Sequence, residues 1–269
     1  MGTAARLSGI ILIAIRERLQ FRFEFFMTLV STLMYSVMFY SVWKAIYLYS
    51  ETQTMPWQEL VTYIMVGQAI NFARWSPAER NMVYGTAERI RSGDIAVDLI
   101  RPLQFQTRRF LEATGFFAVE MLWVNLPVMA LLLLVLNVSP PSGVAAGIGF
   151  AISLIIAFLV SFCLNSIVMM LSFWTGNAMG IQVAKRAIVD VFAGAFIPFA
   201  FFPDWLLPLV QHLPFQAMGY IPLSIYTGKI EGSAMLGVLI EQIGWALLMF
   251  VISRFMWRLA SRRITVNGG

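Results

Sequence analysis

The sequence predicts an all-α integral membrane protein, a single bundle of six transmembrane helices. Two observations carry that prediction. Hydrophobic residues make up 59% of the chain and charged ones only 12%, against about 25% charged in an average soluble domain, and the mean hydropathy is +0.76. Apolar runs also recur at the ~20-residue length that crosses ~30 Å of hydrocarbon. Lipid offers backbone groups no partner, so each run must be helical. The predicted spans are 25–48, 58–75, 113–136, 144–173, 180–202 and 235–257, and residues 1–269 read as one transmembrane domain.

Residues 1–24, MGTAARLSGIILIAIRERLQFRFE, combine an early arginine with a short apolar run, as a secretory signal does. No small-x-small cleavage site follows; Arg16, Glu17, Arg18 and Arg22 do, so the segment is expected to be retained. Leu7, Ile11, Ile15 and Leu19 recur at helical spacing, which predicts an amphipathic helix on the inner membrane surface with its arginines near anionic headgroups. Arg6 stands where a myristoylation signal needs Ser or Thr.

Six spans place both ends on one side, and positive charge decides which. Arg6, Arg16, Arg18 and Arg22 precede span one; Arg80, Arg89, Arg91, Arg101, Arg108 and Arg109 lie between spans two and three; Arg254, Arg258, Arg262 and Arg263 close the chain. The opposite loops hold only Lys44 and Lys229. Both termini are therefore expected in the cytoplasm, in a multi-pass protein of the cell (plasma or inner) membrane. The net charge of +5 then reflects orientation and anionic lipid contact. No nucleic-acid-binding motif is present, and no nucleic-acid partner is expected.

The connection at 76–112 carries the stretch RIRSGDIAVDLIRP at 89–102. Ser76-Pro77-Ala78-Glu79 fits a capping box with proline at the first helical position, predicting a helix to about Arg91. Ser92-Gly93 breaks it, Asp94 is placed to cap a second short helix, and Pro102 ends that helix near Arg101. Asp94, Asp98 and Arg101 are expected on one face, Ile95, Leu99 and Ile100 on the other. A short amphipathic helix at the end of long spans suits docking into a groove of a soluble partner.

The stretch at 198–232 is too apolar for a water-exposed loop. Pro198, Pro203, Pro208, Pro214 and Pro222 each interrupt helix, so it is also too broken for one span. Two short re-entrant helices, about 204–213 and 215–225, are predicted within an external region at 203–232, with Trp205, His212 and Tyr220 at the interface. Phe202, Pro203, Trp205, Pro214, Phe215 and Pro222 are the candidate gate residues.

Ionisable groups inside spans default to functional candidates. Glu120 and Glu241 are expected to line a pathway or hold a cation, or else to pair with Arg109 or Lys229, and Asn165 joins them as a pathway candidate. Asn125, Asn165 and Asn177 also suit bonds between helices, and Gly143 to Gly147 has the spacing of a close helix contact.

Taken together, the amphipathic N-terminal helix, RIRSGDIAVDLIRP between spans two and three, six spans with both ends inside, and FFPDWLLPLVQHLPFQAMGYIP before the last span resemble the permease subunit of an ABC transporter, in the type 2 export permease family. The resemblance covers essentially the whole chain. It implies that 89–102 includes a coupling helix seated in a cleft of a separate ABC ATP-binding subunit, with Arg89, Arg91, Gly93, Asp94, Asp98, Leu99, Arg101 and Pro102 as the contact region. It implies that 203–225 forms external re-entrant helices. It also implies an ATP-driven exporter in which a second permease subunit, identical or related, completes the pathway.

No G-x-x-x-x-G-K-[ST] phosphate loop occurs, so this chain is not expected to be an enzyme or to bind a cofactor; ATP and Mg belong to the partner subunit. With one His and one Cys there is no CxxC pair, HExxH or nucleophile–base arrangement. The alternative is an ion-gradient-driven secondary transporter, a class that usually shows two related halves; no internal repeat is visible.

Overall fold

The computed structural model describes residues 3–20, 22–50, 54–74, 79, 81–100 and 103–262. The elements are α1 (Thr3–Gln20), α2 (Arg22–Tyr49), α3 (Trp57–Arg74), α4 (Thr86–Ser92), α5 (Ile95–Leu99), α6 (Phe105–Val135), α7 (Val144–Thr175), α8 (Met179–Phe192), α9 (Leu207–Val210), α10 (Tyr220–Tyr226) and α11 (Gly232–Ser261). No strand occurs among the described residues.

Among the described residues, four helices are long and apolar enough to cross a membrane: Phe26–Tyr49 within α2, α6, α7 and α11. The predicted second and fifth spans form helices that do not meet that standard. α3 carries Glu59, Gln68, Asn71 and Arg74, and its 18 residues give about 27 Å of helix. It lies inside the bundle, with Leu60, Val61, Tyr63, Ile64, Met65 and Val66 almost fully buried, so its surroundings are protein side chains. Apolarity along its whole circumference is therefore not required. α8 has 14 residues, about 21 Å, and ends ten residues short of the predicted 202. Gly194 there adopts φ +74, a left-handed conformation that favours glycine and stops the helix. The break is held by Tyr63 Oη donating to Gly194 O at 2.8 Å and Tyr220 N–H donating to Ala193 O at 2.7 Å.

α6 runs through a π-helical segment, Glu120–Asn125, immediately before Pro127. The proline supplies no N–H to the preceding turn, and a wider register absorbs the interruption. Asn125 Nδ2 donates to Glu120 O at 2.9 Å and so satisfies one carbonyl there.

Helix packing follows small residues. α1 lies against α6 because Gly115 has no side chain; a Cβ there would come within 2.9 Å of both Ala14 Cβ and Ile11 O. α7 and α11 meet beside Gly149, where a Cβ would collide with Met235 Sδ. Farther along, Gln242 donates to Ser153 O at 3.0 Å and to Ala217 O at 2.6 Å, and accepts from Ser153 Oγ at 2.9 Å. The Gly143 to Gly147 spacing does not mark a close contact: a Cβ on Gly143 meets nothing, and one on Gly147 meets only Pro141 at 3.8 Å.

The elements sort into two ends. At one, Phe105 stacks on Trp257 at 5.2 Å and Arg254 donates to Gln106 at 2.7 Å, so α4, α5 and the start of α6 sit with the end of α11. At the other, Tyr226 Oη donates to Ser139 O at 3.0 Å, Ser139 N–H donates to Thr62 Oγ1 at 3.0 Å, and Lys229 pairs with Glu59 at 3.0 Å.

Candidate functional site

The hairpin α4–α5 is the feature that leaves the bundle with both a fixed base and a free outer face. Gly93 separates its helices with φ +83, a left-handed turn residue whose N–H donates to Ile90 O at 3.3 Å. Asp94 stands at the start of α5 as expected, but its carboxylate accepts from Ser92 Oγ at 2.8 Å and makes no cap bond to the helix.

Asp98 is turned inward. Its side chain is 1% exposed, with Arg89 Nε at 2.7 Å, Arg108 Nη1 at 3.0 Å and Arg109 Nη2 at 3.5 Å. Glu112 takes the same two arginines from α6, at 2.8 Å from Arg108 and 2.9 Å from Arg109. Asp98 therefore belongs to an ionic base inside the fold, and Arg89, its side chain 37% exposed, pairs with it from the surface. A buried carboxylate needs that compensation because removal from water penalises the charged form.

The apolar side of α5 divides differently from the expected Ile95, Leu99 and Ile100. Ile95 is buried and Leu99 half-buried, both packed among Met169, Phe105 and Trp257. Ile100 is 83% exposed and Val97 50% exposed, one turn apart on the outer face. Asp94 and Arg91 are exposed beside them, with Arg91 paired to Glu88 at 2.9 Å. Arg101 and Pro102 lie outside the described residues, as do Arg80 and Ser76, Pro77 and Ala78 of the predicted capping box. Glu79 is described, and it accepts from both Gln182 and Lys185 of α8 instead of returning to a helix start.

The intramembrane candidates each have local partners. Glu120 pairs with Arg18 at 2.8 Å, both side chains at most 2% exposed, and Arg18 also donates to Thr28 Oγ1 at 3.0 Å. Arg18 thus points into the bundle, although Arg16 is exposed as a headgroup contact would be. The expected Glu120–Arg109 and Glu241–Lys229 pairs do not form, since Arg109 serves Asp98 and Lys229 serves Glu59. Asn165 accepts from Lys185 Nζ at 2.7 Å, which places Glu79, Lys185 and Asn165 in one buried polar cluster. Glu241 is exposed and accepts from Gln216 Nε2 at 2.7 Å. Asn177 bonds locally, accepting from Met179 N–H at 2.8 Å.

The segment expected to be external is more broken than the two predicted re-entrant helices. α9 has four residues, Pro214–Met218 is a 3-10 turn, and α10 follows after Gly219, where a Cβ would collide with Ala193 O. Trp205 is 77% exposed and Pro203 is exposed, Phe202, Pro214 and Phe215 are half-buried, and Pro222 is buried within α10. Phe215 stacks with Phe192 at 6.4 Å. The candidate gate residues therefore divide between exposed positions and the packed interior.

From the sequence, Arg108 has no role beyond orientation and Arg109 only that of a possible partner for Glu120, and Arg18, Val97, Gln182 and Lys185 do not stand out as members of these sites. Two signals were available. Leu7, Ile11, Ala14 and Arg18 continue one helical stripe, and Val97 and Ile100 have i,i+3 spacing.

No curated protein matches the chain. The family model described as ABC-2 family transporter protein matches residues 25–268. That match spans α2 to the end of α11 and takes in the hairpin, and the chain belongs to the ABC-2 transporter family as a membrane-embedded permease component.

Proposed function

We propose that the chain is the transmembrane subunit of an ATP-driven exporter, forming half of a translocation pathway with a second permease subunit and drawing its energy from a separate ATP-binding subunit. The observation that carries the coupling role is the hairpin's division into an exposed outer face, Asp94, Val97 and Ile100, and an ionic base that ties Asp98 to α6 through Arg108 and Arg109. A partner that grips the outer face displaces α5. The ion pairs, being short and shielded from water, transmit that displacement to α6, and Glu120 passes it to α1 through Arg18.

Charge supports the orientation. Arg89, Arg91, Arg108, Arg109, Arg254, Arg258 and Arg262 gather at the hairpin end, the arrangement of a cytoplasmic face with both termini inside. The region of Phe202, Trp205 and Pro214 is then external, where cargo leaves.

Gentle detergent purification of the tagged chain from its native membrane, with mass spectrometry and an ATPase assay, tests this reading. Stoichiometric recovery of an ATP-binding protein with ATPase activity is expected, and Ile100→Glu is expected to lose that protein while leaving the chain monodisperse. Recovery of the chain alone across several mild detergents would overturn the proposal and favour an ion-driven transporter.

A further inference from the structure

An open cleft of about 730 Å³ lies between α11 and the external segment, remote from the hairpin, and its polar side chains include Gln211, His212, Gln216 and Glu241. Both Nε2 hydrogens of Gln216 are committed, one to Gln211 O and one to Glu241 Oε1, so its remaining polar atom, Oε1, accepts. Pro208 O can only accept, so His212 Nδ1 donates to it at 2.7 Å. Glu241 has no cationic partner within ion-pair distance among the described residues. Tyr220 and Trp245 also line the cleft, and aromatic rings attract cations.

The same face of α11 continues as an apolar stripe. Leu248, Val251 and Phe255 follow Glu241 at helical spacing and are 47%, 62% and 58% exposed. The stripe extends ~21 Å from Glu241, more than the depth of one leaflet, ~15 Å.

We infer that this cleft binds an amphiphile with an ammonium head and an alkyl tail, the head against Glu241, Gln216 and Trp245 and the tail along Leu248, Val251 and Phe255. A carboxylate without a cationic partner among the described residues, beside two aromatic side chains, favours a donor cation over an anionic head. The site requires neither ATP nor the ATP-binding partner, so its test is independent of the coupling mechanism.

The test is native mass spectrometry of the purified full-length chain in maltoside micelles, titrated with hexadecylamine and, separately, with hexadecanol, which has the same tail and no charge. Hexadecylamine is expected to bind at least about tenfold more tightly, equivalent to ~1.4 kcal/mol, and Glu241→Gln, which keeps an acceptor for Gln216, is expected to abolish the difference. A parallel titration with phosphatidylethanolamine and phosphatidylglycerol identifies the source of the ammonium. Preference for the former, lost in E241Q, assigns a lipid headgroup; equal lipid binding beside a retained hexadecylamine preference assigns a free amphiphilic amine.

Equal binding of amine and alcohol overturns the inference, as does an amine preference that E241Q leaves unchanged. Absence of binding because a second copy covers the cleft also overturns it. Should E241Q not purify as a monodisperse protein, Trp245→Leu takes its place, with a severalfold loss of amine binding and unchanged alcohol binding expected; an unchanged amine preference in W245L overturns the inference.

Discussion

At the hairpin end of the bundle, Asp98 alone meets Arg89, Arg108 and Arg109 within 3.5 Å, and Glu120 meets Arg18 a few turns deeper. At the opposite end most joints are neutral: Tyr63 to Gly194, Tyr226 to Ser139 and Tyr220 to Ala193 are hydroxyl or amide bonds to carbonyls. Gly67 and Gly219 there leave room for backbone atoms of Ala195 and Ala193 to approach closely. The two ends respond to different perturbations. An ionic base holds distant elements in register but turns against the fold when one partner is lost. A neutral, close-packed joint depends on volume and shape.

The largest effect is expected at the ionic end. Arg18→Ala leaves Glu120 buried without its counter-ion and is expected to destabilise the protein by about 3–5 kcal/mol, seen as a lowered midpoint of thermal unfolding in detergent followed by tryptophan fluorescence. The double substitution Arg18→Met with Glu120→Leu should recover most of that loss, because an apolar pair of similar volume removes the desolvation penalty. If the double variant is as unstable as the single one, the pair's role is in packing and the contrast between the ends weakens.

Next comes the neutral end. Gly219→Ala drives a Cβ into Ala193 O and to 3.0 Å from Ala195 Cβ, and is expected to cost about 1–3 kcal/mol in the same unfolding measurement. Tyr63→Phe removes the buried donor to Gly194 O and should cost about 1–2 kcal/mol; insensitivity there would show that α3 is held by packing alone. The smallest effect on stability belongs to the hairpin's outer face. Ile100→Glu should shift stability by no more than about 0.5 kcal/mol, because Ile100 is 83% exposed, while partner recovery is lost.

Much of the fold was legible because its signals are local. The N-terminal helix, the stop at Gly93 and the proline breaks after residue 198 rest on the residues at those positions. So does the apolar character of α6, α7 and α11. Of the six expected spans, α3 and α8 are helices that do not meet the length and apolarity of a span, for a different reason in each. α3 is surrounded by other helices and tolerates Gln68 and Asn71 in its interior, and α8 ends where Gly194 turns, a position whose hydrogen bonds come from Tyr63 and Tyr220. Neither neighbourhood can be inferred from a hydropathy window.

The candidate site was legible in place but not in orientation. Spacing located the hairpin and its two helices, yet α5 has only five residues, and over so short a helix periodicity does not distinguish an acidic residue facing a partner from one facing Arg108. Composition and periodicity alone determined that the chain is a helical membrane protein with a charged hairpin between its spans and a broken, aromatic segment before the last one. Tertiary structure decided that Asp98 faces inward and Ile100 outward, that Glu120 finds Arg18 across 102 positions of sequence, and that Glu241 has no basic partner among the described residues. Helix formation and lipid solubility are set by near neighbours along the chain. The pairing of a buried charge is set by whichever opposite charge the folded bundle brings within a few ångströms, and that choice is made across the whole chain.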